Sequence, residues 1–198
     1  MQNAKERKLI IFEGTDGVGK TTTAKLLQEI IERDHGLKTS YLKGMGSANF
    51  FGRLAKRFPS TALFMLEAAW SALKANFLRA EMVLMDRSYI SVISHWPEIN
   101  SGLNRAVIAL TKPLLARLCR PNLVAYLFSD LDVQLKRIAG AADNRFHSAI
   151  LANPWVIAER NSRMQKLFNE FEYPVVKIDT TDVPPGIIAQ TIINFLKL

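Results

Sequence analysis

The stretch FEGTDGVGKTTTAKLL, residues 12–27, restricts the possible folds more than any other part of the chain. It contains Gly14, four intervening residues, and then Gly19, Lys20 and Thr21. That spacing is the phosphate-loop pattern, in which backbone N–H groups wrap a phosphate between a strand and a helix. The flanking sequence supplies both partners. The apolar run KLIIF precedes the loop, and residues 20–34 carry Ala24, Leu27, Ile30 and Ile31 on one helical face, with Gly36 placed to end the helix. Gly14, Gly17 and Gly19 let the backbone bend inward. The loop from Gly14 through Asp16, Gly17, Val18 and Gly19 to Thr22 is therefore the expected ATP site. Lys20 would reach the β- and γ-phosphates, and the Thr21 hydroxyl would hold Mg2+.

Residues 8–13 and four further apolar runs read as strands: TSYLK (39–43), MVLMD (82–86), LVAYLF (123–128) and VVKID (175–179). Most are continuous rather than alternating, as in strands covered on both faces. Helical patterns lie between them at 61–80, 103–119, 130–139, 155–171 and 185–197, with Pro113 placed to kink or divide one of them. Strands alternating with helices predict a parallel sheet with right-handed crossovers. The expected fold is thus an α/β P-loop three-layer sandwich, a five-stranded parallel sheet between helices, as a single domain over 1–198. Residues 139–154 have weak periodicity between two helices and are a candidate lid.

A net charge of +8 with pI ≈ 9.7 favours anionic partners. The basic residues are scattered and do not alternate with aromatics, which argues against nucleic acid and for phosphate ligands among solvated faces. One cysteine, Cys119, excludes an internal disulfide and a cysteine-based metal site. No apolar stretch approaches the roughly 20 residues of a membrane span, and the apolar run near the N-terminus is shorter than the about 7–15 residues of a signal core. These features lead to the expectation of a cytoplasmic protein with no membrane association. His35, His95 and His147 lack metal-ligand spacing.

MVLMDRSYIS (82–91) is the second informative stretch. Four apolar residues followed by Asp86 resemble a Walker B strand, whose carboxylate would emerge beside the phosphate loop and bind Mg2+ directly or through water. Asp86 could also cap a helix starting near Ser88. Arg87 follows, where a hydrolytic ATPase commonly has glutamate. An arginine suggests a second anion, and hence a phosphate acceptor. In the lid candidate, Arg145 could stabilise charge on the transferring oxygens, a contribution of roughly 10³–10⁵ in rate where such fingers operate; the other reading is a surface arginine. Arg137 could stack on a base or lie on a solvated face.

In order, FEGTDGVGKTT, MDRSYIS, RPNLVAYLFSDLDVQLKRI, DNRF and KIDTT resemble landmarks of the thymidylate kinase family over nearly the whole chain. The resemblance implies γ-phosphoryl transfer from ATP, with Mg2+, to a nucleoside monophosphate. It implies that Asp16 lies near the acceptor sugar's 3′-hydroxyl and that Arg87 holds the acceptor phosphate. It also implies that Arg145 aids transfer, since position 17 is glycine. Family members are usually homodimers, and the apolar helix at 61–80 could form such an interface. The acceptor side departs from the family. LKGMGSANF (42–50) stands where Arg-Glu-Pro-Gly-Gly is usual, leaving Lys43 or Arg53 as replacements for the missing arginine. Phe64 of the expected base pocket is followed four positions on by Ala68 rather than arginine. His95 lies nearest the position of a tyrosine that disfavours ribose, and could contact an altered acceptor or be a packed or exposed histidine.

Two other functions fit parts of the pattern. A deoxynucleoside kinase would share the Asp-Arg-Ser sequence, but residues 39–50 have no acidic residue to serve as its base. A nucleotide-binding regulatory protein without turnover would fit the altered acceptor segment, although Lys20, Thr21, Asp86, Arg87 and Arg145 are all kept.

Overall fold

The structure, a computed structural model, describes residues 7–45, 50–57, 60–95, 102–141, 145–170 and 173–198. All five strands fall where the apolar runs place them: β1 (Lys8–Glu13), β2 (Thr39–Lys43), β3 (Met82–Asp86), β4 (Leu123–Phe128) and β5 (Val175–Asp179). They form one parallel sheet in the order β2-β3-β1-β4-β5. From β1 the chain crosses to the edge strand β2, returns to β3 beside β1, and then passes to β4 and β5 on the other side. The helices that follow β1 and β3 lie on opposite faces, which opens a crevice at the carboxyl ends of these two strands. The register sets Phe12 opposite Asp86, so the strand that feeds the phosphate loop ends level with the acidic residue.

The uninterrupted apolar runs have a two-sided cause. Leu9, Ile11, Val83, Met85, Val124 and Tyr126 point into one core, with α3 (Thr61–Phe77), α4 (Tyr89–His95), α5 (Gly102–Leu118) and α8 (Trp155–Glu170) supplying the opposite wall. Ile10, Phe12, Met82, Leu84, Ala125 and Leu127 point into the other, against α1 (Lys20–His35) and α9 (Pro185–Leu196). Successive strand residues face opposite ways, so a strand covered on both sides must be apolar throughout.

Several boundaries differ from the sequence expectation. The helix expected over 61–80 ends at Phe77, because Leu78 turns extended to lead into β3. Pro113 lies inside α5, which continues through it to Leu118 as one undivided helix with the proline on its exposed face. Three short helices were not expected from periodicity as separate elements or lay within the lid candidate: α2 (Phe50–Arg57), α4, and α7 (Arg145–Ala152). The last follows α6 (Leu131–Ala139), and Ile150 of α7 packs with Ile138 and Ile157 in a small third core.

Candidate functional site

The phosphate loop leaves β1 under steric compulsion. Gly14 has φ +141°, and a Cβ there would lie 2.2 Å from the carbonyl oxygen of Leu127. Gly19 (φ 86°) stands at the N-cap of α1 and supplies no side-chain cap, so the first N–H groups of the helix are left for a ligand. Thr15 Oγ1 donates to Gln134 Oε1 at 2.7 Å, and Gln134 Nε2 donates to Ser129 O at 2.6 Å, which ties the loop to the end of β4. Lys20 is 6% exposed and donates to the Thr15 carbonyl at 2.5 Å. Burial, then repulsion from Arg87, pulls its ammonium down to about 8, against the attraction of Asp16, Asp86 and Glu13.

Beside it, Thr21 Oγ1 donates to Asp86 Oδ2 at 2.5 Å, and the Tyr41 hydroxyl donates to the same oxygen at 2.9 Å. The Tyr41 phenol is pushed up, first by burial and then by the Asp86 charge. Asp86 Oδ1 is buried and has no hydrogen-bond partner among the described residues. A hydroxyl and a carboxylate side by side, with an unspent buried oxygen, fit Mg2+, which takes few protein ligands and relies on phosphate and water for the rest. No cluster of three or more His, Cys, Asp or Glu side chains suited to a metal occurs among the described residues. The capping role considered for Asp86 belongs to Ser88, which precedes α4 and whose Oγ accepts from Ile90 N at 3.2 Å.

Arg87 adopts left-handed backbone, φ 73°, which turns its side chain back across the loop. Its NH2 lies 2.5 Å from Asp16 Oδ1. Arg160 of α8 approaches the other carboxylate oxygen, NH1 to Oδ2 3.4 Å. Beneath this group lies Glu13, which is fully buried and accepts from Ser88 N (2.8 Å), Ser88 Oγ (2.6 Å) and Ser91 Oγ (2.5 Å). Burial raises the Glu13 carboxyl, while the serine hydrogen bonds and Arg87 oppose that rise. Glu13 thus holds the Arg87 turn against the end of β1, assisted by the bond from Arg87 N to Phe12 O.

A cavity of about 640 Å3 joins these groups, lined by Asp16 to Thr23, Lys43, Asp86 and Arg87 at one end. Arg137, His147, Thr180 and Val183 line the other. The Arg137 guanidinium donates to Thr180 O (2.8 Å) and Thr181 O (3.1 Å) and reaches Gly17 O (3.4 Å). These bonds engage NH1 and NH2 and leave the flat face of the guanidinium open to a base. Arg137 is exposed on α6, and these bonds tie its guanidinium to the phosphate loop and to the residues after β5.

Other expected site residues lie elsewhere. Phe64 is buried in the α3 core and Arg53 is exposed on α2; neither lines this cavity. Arg145 opens α7 and His95 closes α4, and both side chains lie outside the described residues. Sequence reasoning missed Glu13, Tyr41 and Arg160 as site residues. An acidic residue ending an apolar strand was a usable signal for Glu13; the other two are recruited only by the fold.

The comparisons with known proteins bear on this geometry. The family model described as thymidylate kinase matches residues 12–187. This chain belongs to the thymidylate kinase family. A probable thymidylate kinase 1 from Saccharolobus solfataricus is 27% identical over 176 residues, covering 86% of this chain and 88% of that protein. Among solved structures, thymidylate kinase from Candida albicans superposes with a TM-score of 0.71 at 17% identity, over 97% of this chain and 92% of that one. Deoxyadenosine kinase from M. mycoides with bound dATP gives 0.70 at 14% identity, over 96% and 100%. At such identities these structures establish the P-loop kinase fold. The thymidylate kinase membership makes the chain a phosphotransferase, a nucleotide kinase acting on a nucleoside monophosphate. No helix among the described residues is long and apolar enough to cross a membrane.

Proposed function

We propose that this kinase transfers the γ-phosphoryl group of ATP to dTMP or a related nucleoside monophosphate, with Mg2+. The observation that supports this reading is that one cavity is lined by Lys20, by the Thr21–Asp86 pair and by Arg87 held on Asp16; the first pair is assigned to the donor and Arg87 to the acceptor. The loop amides and Lys20 bind the β- and γ-phosphates, and Thr21 and Asp86 hold Mg2+. Held by Thr21 and Asp86, Mg2+ would supply positive charge to offset that of the phosphates. Arg87 orients the acceptor phosphate in line, Asp16 contacts the sugar hydroxyl, and Arg145 from α7 meets the developing charge. Arg137 offers its face to the adenine. Transfer is then chiefly positioning and electrostatic stabilisation.

The active form is a cytoplasmic homodimer in this reading. Leu66, Trp70, Leu73 and Phe77 fall on one stripe of α3 and are 37–82% exposed, which supports a second copy packing there. Cys119 is buried with its thiol pushed up to about 12, which leaves it unreactive. Sedimentation should give a dimer for the native chain and a monomer for Trp70→Arg. The test of function is ADP formation with Mg2+ across nucleoside monophosphates and free deoxynucleosides. Turnover with a monophosphate is expected; turnover confined to free nucleosides would replace this reading with a nucleoside kinase.

A further inference from the structure

We propose that Arg160 is the second guanidinium of the acceptor-phosphate site, acting as a fork with Arg87. The inference rests on the reading of Arg87 as the residue facing an acceptor phosphomonoester. Its geometric basis is Asp16. One carboxylate receives two guanidiniums, Arg87 on Oδ1 at 2.5 Å and Arg160 on Oδ2 at 3.4 Å. The two cationic heads therefore converge on the two oxygens of a single carboxylate. Planar forks of this kind match phosphate oxygens in pairs.

Arg160 is also poorly satisfied as it stands. Its side chain is 16% exposed, its described hydrogen-bond partner is the long contact to Asp16, and its Nε is buried with no partner among the described residues. Buried guanidiniums with one distant carboxylate are uncommon without a ligand to complete them. Charge leads to the same conclusion. Asp16 is shared between two cations, so neither guanidinium has a carboxylate of its own there. Burial, with repulsion from Arg87 and Arg163, lowers the Arg160 guanidinium despite the pull of Asp16. An incoming dianion would relieve that repulsion and supply the missing acceptors.

The placement also answers the altered segment 42–50. Of the two candidate replacements for its missing arginine, Lys43 lies on the cavity wall and Arg53 is exposed on α2. A guanidinium already lodged on Asp16 comes instead from α8, 144 residues along the chain from it.

The test is titration calorimetry of the full chain with paired probes, each nucleoside monophosphate against its free nucleoside. It is run on the native protein, Arg160→Met, Arg160→Lys and Arg87→Met. Arg160→Met is expected to weaken the preferred monophosphate about ten- to a hundredfold, the range for a lost charge-assisted hydrogen-bond pair. The matching nucleoside and ATP should bind unchanged. Arg160→Lys keeps the charge without the fork, recovers part of the loss, and carries the test if the Met variant does not fold. Equal losses for monophosphate and nucleoside would make Arg160 structural and overturn the proposal. So would a loss in Arg87→Met with none in either Arg160 variant, which would leave the Arg87 reading standing. A native protein that binds no monophosphate better than its nucleoside would remove that reading, and the Arg160 role with it.

Discussion

Replacing Lys20 by methionine should stabilise the unliganded protein while disabling the enzyme. Burial and Arg87 take the ammonium from 10.5 to about 8. A shift of that size corresponds to roughly 3 kcal/mol against the folded state while Lys20 is charged. Methionine removes that cost but also the bond to Thr15 O, which returns about 1–2 kcal/mol. The variant should therefore gain about 1–2 kcal/mol near neutral pH without nucleotide. Because the folded pKa lies below the unfolded one, the unfolded chain binds more protons between about 8 and 10.5. The wild-type cost is full below about 8 and fades as pH rises towards 10.5, so the gap between the proteins should narrow over that window. Urea unfolding at several pH values measures the gap, and a phosphoryl-transfer assay measures the loss, expected to be at least about 10²-fold. With ATP and Mg2+ at about a hundred times Kd, the native protein should gain about 2.7 kcal/mol and the variant much less, reversing the order. A variant less stable than the native protein at neutral pH without nucleotide, or a gap that widens with pH, would refute the reasoning.

Arg87→Ala should raise the KM for the acceptor at least about tenfold and leave ATP binding intact; loss of ATP affinity alone, read by calorimetry, would place Arg87 on the wrong side. Asp86→Asn should weaken Mg2+ dependence, seen as a shift of the metal titration midpoint by about tenfold or more, since the buried Oδ1 loses its charge. Gly14→Ala should cost more than about 2 kcal/mol in denaturant unfolding, because its Cβ would meet Leu127 O at 2.2 Å on a backbone at φ +141°.

Legibility in the sequence followed the range of the forces involved. β3 and β4 could be read directly because both sheet faces are covered, and MVLM and LVAYL carry no charged residue. The donor loop was equally plain, since Gly14, Gly19, Lys20 and Thr21 lie within one turn of chain and their spacing is their geometry. α7 is short, and only Ile150 of its described residues is buried, so periodicity had little to report. The length of α3 was overestimated because Leu78 and Ala80 continue its apolar pattern after the backbone has left the helix. Tyr41 and Arg160 were hidden for a different reason. Each finds its carboxylate across 45 and 144 residues of chain respectively, a distance over which no local pattern carries a signal.

The left-handed backbone at Arg87 has an evolutionary consequence. An L-residue there carries a conformational penalty of about 1–2 kcal/mol, which glycine would escape and asparagine would ease. A mutant library sorted for resistance to unfolding should therefore enrich glycine and asparagine at position 87. The same library sorted for growth on the catalysed reaction should return arginine. The disagreement between the two sorted populations would mark this as a position where selection has kept chemistry at the expense of conformational ease.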